Sequence, residues 1–134
     1  MRKSATFGDI EMLEVRLDKV KGIATLEPNG ELSKEDFTSA STIIDPYIEE
    51  YGELKGIIIH VQSFPGWESF SSLIAHLKFV KNHHKKVSRI AFATDSTIGS
   101  FAENIANHFV NAELKSFAFN ELESCKNWIL NGDD

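Results

Sequence analysis

Two runs in this chain, GIIIHV at 56–61 and VSRIAFAT at 87–94, are almost continuously apolar and no longer than a strand. A half-exposed strand alternates apolar with polar, whereas an uninterrupted apolar strand suits the interior of a parallel sheet covered on both faces. Parallel neighbours need a crossover, usually a helix. The stretch 67–82 supplies one: Trp67, Phe70, Leu73, Ile74, Leu77 and Val80 fall on one broad stripe at about 100° per residue.

The same logic extends in both directions. IEMLEVRL at 10–17 puts Leu13, Val15 and Leu17 on one face and Glu14 and Arg16 on the other, and DKVKG links it to IATLE at 23–27. Together they predict an antiparallel hairpin at a sheet edge. Ser33 with Asp36 resembles a capping box, and Phe37, Ala40, Ile44, Tyr47 and Tyr51 repeat at helical spacing, so 34–51 is read as a helix. Pro46 is expected to kink or break it. Ile98, Phe101, Ala102, Ile105 and Phe109 mark a helix over 97–109, LKSFAF at 114–119 a strand, and 121–130 a last helix with Asn120 and Glu123 as its cap. The order ββαβαβαβα predicts an α/β fold over residues 1–134 as one domain. Its sheet is mostly parallel with right-handed crossovers, an antiparallel edge hairpin and helices packed on it.

A net charge of −6 argues against a protein that tracks a nucleic-acid backbone, because phosphate contacts draw on clustered Lys and Arg. The local basic cluster of Lys78, Lys81, Lys85 and Lys86 with His83 and His84 is read as a solvated helix end. No run of about 18 apolar residues predicts membrane insertion, and no apolar segment follows the basic start, so a cytoplasmic protein is expected. Cys125 is the lone cysteine, which excludes an intrachain disulfide and a Cys-based zinc site, and it lies on an apolar stripe as a packed thiol.

In open parallel sheets, ligands settle outside the carboxyl ends of the strands. There Gln62 to Trp67 converge with Thr94 to Thr97, and Asp95 or Ser96 can cap the helix that follows. The expected contacts are Phe64, Gly66, Trp67, Glu68, Phe70, Asp95, Ser96 and Phe101, a mix of aromatics, small polar groups and acids that suits a neutral or weakly polar ligand. Trp67 also fits as a large side chain at the edge of the core. On the opposite face of the same helix, His76 and Phe79 are the candidate partner or homodimer contact. His76, His83 and His84 have no carboxylate beside them, so no metal and no cofactor is predicted. No Gly-x-Ser-x-Gly elbow occurs, and a pair of His60 with Asp95 on adjacent strands is the one arrangement that would support a hydrolase. A lone strand histidine is more often a hydrogen-bonded core residue, and a non-enzymatic reading is preferred.

FPGW after the third strand, AFATDS closing the fourth, and SFAFNELESCKNWIL at the end resemble the SpoIIAA-like proteins of bacteria, whose fold belongs with the STAS domains. The resemblance runs from about residue 10 to residue 131, with Gly66-Trp67, Asp95, Phe119 and Trp128 as landmarks. It implies a non-enzymatic binding module, regulatory or scaffolding through protein contact. A likeness in topology to the lipid-carrying CRAL-TRIO domains implies the alternative, a small carrier of an apolar, lipid-like ligand. STAS antagonists are switched off by phosphorylation of a serine at the corresponding helix start, and here Ser69 and Ser71 are the candidate acceptors. The Asp-Ser-(Ser/Thr)-Gly run is missing, and Glu68 already places a negative charge on that first turn, which opposes phosphate beside it.

Overall fold

The computed structural model describes residues 13–28, 34–63, 87–95 and 113–132. Five strands form one sheet in the order β1-β2-β3-β4-β5: Leu13–Asp18, Ile23–Pro28, Leu54–His60, Val87–Ala93 and Glu113–Phe117. β1 pairs with β2 antiparallel, and every other pairing is parallel. This is the predicted α/β sheet with its edge hairpin. Gly22, at φ 72°, closes the hairpin turn, and the Asp18 carboxylate accepts from the amides of Val20 and Lys21.

Helix α1 (Lys34–Tyr51) lies between β2 and β3 and covers one face of the sheet. Ala40, Ile44, Tyr47 and Ile48 meet Ala24, Leu26, Ile57, Ile59, Ile90 and Phe92 in the larger core. The helix runs through Pro46 as one element, so of the expected kink or break the break does not occur. Burying Ile44, Tyr47 and Ile48 is worth roughly 1.5–3 kcal/mol each, which outweighs the ~3 kcal/mol cost of an interior proline. Tyr51 leaves the predicted stripe: it is 56% exposed and stacks on Tyr47 with ring centroids 4.5 Å apart, while Ile48 takes the buried place. The side chain of Phe37 and the cap at Ser33 lie outside the described residues, as do the predicted helices at 67–82 and 97–109.

Helix α2 (Leu122–Asn131) packs on the opposite face, where Cys125, Trp128 and Ile129 meet Ile23, Ile58, Ala91 and Ala93. Gly56 makes this approach possible, because a Cβ there would stand 2.5 Å from Ile129 Cγ2. The far end of α2 is held by Arg89, whose Nη1 donates to the carbonyls of Trp128 (3.1 Å) and Ile129 (3.0 Å) and whose Nε donates to Glu113 (2.8 Å). A cation at carbonyls left open by a helix end also suits the dipole.

The start of α2 differs from expectation. Asn120 does not cap it: Glu121 occupies the N-cap position without a side-chain cap bond, and its carboxylate turns back to accept from the amide of Ala118 at 2.9 Å. The last strand accordingly ends at Phe117, and residues 118–121 form a turn. Phe119, expected in the strand, belongs to that turn.

Candidate ligand or partner site

The carboxyl rim of the sheet continues the ladder past the last strand residues. Val61 donates its amide to Ala93 O (3.1 Å), Asp95 donates to Gln62 O (3.1 Å), and Thr94 donates to Phe117 O (3.0 Å). The Thr94 hydroxyl also donates to Gln62 O at 3.2 Å. Gln62, Thr94 and Asp95 thus converge as the strand pattern predicts. The remaining expected contacts, Phe64, Gly66, Trp67, Glu68, Phe70, Ser96 and Phe101, lie outside the described residues. So do Ser69, Ser71, His76 and Phe79.

His60 does not pair with Asp95. Its Nδ1 lies 2.7 Å from Glu27 Oε2 at the end of β2, and its Nε2 lies 3.0 Å from the carbonyl oxygen of Phe119. Register explains the correction: Glu27 and His60 follow the Leu26–Ile59 pair on neighbouring parallel strands, whereas His60 stands opposite Ala93 on β4, two residues short of Asp95. Asp95 follows β4 and turns to the incoming chain, where its Oδ1 accepts from the Phe119 amide at 3.2 Å; the helix it was expected to cap lies outside the described residues. The Phe119 ring stacks on the imidazole, centroids 4.4 Å apart and planes within 9°. Glu27 is held from its other side by Arg16 Nη2 at 3.3 Å, and Arg16 Nε reaches Glu14 Oε2 at 3.1 Å. These two carboxylates raise the Arg16 guanidinium above its ordinary value, the hydrogen bond to Glu14 contributing most.

Glu27 and Phe119 were the residues that pattern reading passed over. A signal existed: acidic or imidazole side chains stand at or just past the carboxyl ends of β2, β3 and β4, as Glu27, His60 and Asp95. Polar groups gathered at one end of otherwise apolar strands are unexpected unless something there binds them.

Cys125 is fully buried, and burial, with a smaller contribution from Glu121, pushes its thiol up to about 12. A thiol so buried and protonated packs as a small apolar side chain rather than serving as a nucleophile. Among the described residues no three His, Cys, Asp or Glu side chains gather as a metal site, and no helix is long and apolar enough to cross a membrane. A cleft of about 540 Å³ lies at the opposite, amino end of the sheet, between Lys55, Ser88, Arg89 and Leu130. It is far from the rim at which the strand ends converge.

A mostly parallel α/β sheet with an antiparallel edge strand, helices on both faces and a polar carboxyl rim defines a STAS-like module. The chain belongs to the SpoIIAA-like family, whose model matches residues 23–130. That span begins at β2 and leaves out the outer strand of the hairpin. No curated protein and no solved structure matches the chain.

Proposed function

We propose that this SpoIIAA-like chain is a non-enzymatic regulatory or scaffolding module that docks a protein partner at the carboxyl rim, through the segment that begins at Trp67. One observation carries the reading: the described rim groups that could do acid–base chemistry are engaged by the protein itself. Both nitrogens of His60 face protein oxygens, Asp95 Oδ1 takes the Phe119 amide, and the Thr94 hydroxyl is given to Gln62. A general base has to reach a substrate proton within hydrogen-bond distance, and in this arrangement each ring nitrogen is turned to an oxygen of the protein itself. Family membership supports the same class, since STAS-like modules generally act by protein contact.

The test is pull-down with the intact chain and with Trp67→Ala, paired with native mass spectrometry of the purified protein and organic extraction of what it carries. A specific protein captured by the intact chain and lost in the variant is the expected result. A co-purified lipid-like molecule, with no protein dependent on Trp67, would instead establish the carrier reading, in which an apolar ligand sits between the segments 67–82 and 97–109.

A further inference from the structure

We propose that His60 is a proton-operated latch at the carboxyl rim. With a proton on each ring nitrogen it ties the end of β2 to the turn that launches α2, and with a single proton it holds only one of them. The inference stands whatever the rim binds.

The argument is one of donors and acceptors. Nδ1 faces a carboxylate oxygen at 2.7 Å and Nε2 faces a carbonyl oxygen at 3.0 Å. Neither an ionised carboxylate nor a carbonyl can donate, while a neutral imidazole carries one N–H and one lone pair. Only the doubly protonated ring makes both contacts as hydrogen bonds. A neutral ring sets a lone pair against an oxygen on one side. The ring has little room to turn away, because it is stacked on Phe119 and its side chain is only 16% exposed.

Which side lets go follows from the acceptors. A charged acceptor makes the stronger bond, so the remaining proton stays between Nδ1 and Glu27. The carbonyl of Phe119 is then released. Around the ring, the charged groups among the described residues are Glu27 from β2, Arg16 and behind it Glu14 from β1, Asp95 beyond β4, and Glu121 in the turn. Arg16 neutralises part of the carboxylate charge, while Asp95 and Glu121 hold the turn by its amides at Phe119 and Ala118. Losing the His60 contact therefore leaves the turn tied to the rim by the Phe119 amide on Asp95 and by the Phe119 ring on the imidazole. The amino end of α2 loosens while Arg89 keeps its carboxyl end in place.

Followed against pH, ring-nitrogen NMR on the full chain should show a step from two protonated nitrogens to one, with Nε2 the nitrogen that loses its proton. Exchange protection of the amides at 118–122, corrected for intrinsic rates, should fall in step by about tenfold, the factor for one net hydrogen bond. Glu27→Gln supplies a neutral amide that can donate to Nδ1, so a singly protonated ring keeps its Nε2–H on Phe119, and the pH step in protection should vanish. His60→Gln, which does not titrate, should remove the step as well. A ring that loses its proton while the turn amides keep their protection would overturn the latch. So would a ring that carries one proton at every pH at which the chain stays folded, or an unchanged step in either variant.

Discussion

The two faces of the sheet are built on different principles. The α1 face carries the larger apolar cluster, in which Leu26, Ile57, Ile59, Ile90 and Phe92 join the buried residues of the helix. The α2 face has a smaller apolar centre, Ile58, Ala91 and Ala93 beneath Cys125 and Ile129, and is fastened at both ends by polar contacts. Arg89 grips the carboxyl end of α2, and His60 with Asp95 and Glu121 holds the turn at its amino end. Apolar burial is non-directional and tolerant of small shifts, whereas a hydrogen bond fixes position. The α1 face supplies stability, and the α2 face places one helix accurately against the rim.

Trp128 shows what that placement costs. Its ring lies 5.5 Å beneath the Arg89 guanidinium and 6.0 Å from Phe117, yet Nε1 is buried without a hydrogen-bond partner among the described residues. An unmade bond of this kind costs about 1–3 kcal/mol. The aromatic and cationic contacts, with the burial of a large side chain, offset it.

Three experiments would break or sharpen the contrast. The largest effect is expected from Phe92→Ala on the α1 face, a loss of about 3–5 kcal/mol in denaturant unfolding; a loss under about 1 kcal/mol would mean that this face is not the main core. Gly56→Ala on the other face should cost about 1–3 kcal/mol, because the added methyl collides with Ile129. Trimming the partner in Gly56→Ala with Ile129→Ala should restore part of that loss, a coupling read from the double-mutant cycle. Strict additivity would place the strain elsewhere.

The smallest effect concerns Tyr47, whose hydroxyl donates to Lys19 O at 3.2 Å. Burial first, then Tyr51, Asp18 and Glu53, raises its phenol above the ordinary 10.0. With the folded value the higher, the unfolded chain loses its proton first. Stability is therefore unaffected below that ordinary value and falls as pH rises past it. Tyr47→Phe should remove this alkaline component, and an identical alkaline slope in the variant would refute it.

Much of the α1 face was legible because its information is local. Ala40, Ile44 and Tyr47 repeat at helical spacing, and Ile57, Ile59, Ile90 and Phe92 sit in runs that only an interior strand explains. That the helix does not break at Pro46 was not legible, because the proline's penalty is local and the burial that overrides it comes from strands elsewhere in the chain. On the rim, the convergence of Gln62 with Thr94 and Asp95 followed from placing both segments at the carboxyl ends of parallel strands. The partner of His60 did not, since Glu27 is 33 residues away and Phe119 is 59.

The sequence by itself determined the class of fold, the hairpin edge, the apolar face under α1 and the inert setting of Cys125, because periodicity and run length are properties of neighbouring residues. Tertiary structure alone decided that the strands lie side by side in chain order, that α2 crosses to the other face, and that His60 joins β2 to the α2 turn. Those choices depend on distance and direction in space, which hydrogen bonds between remote residues select and residue spacing does not record.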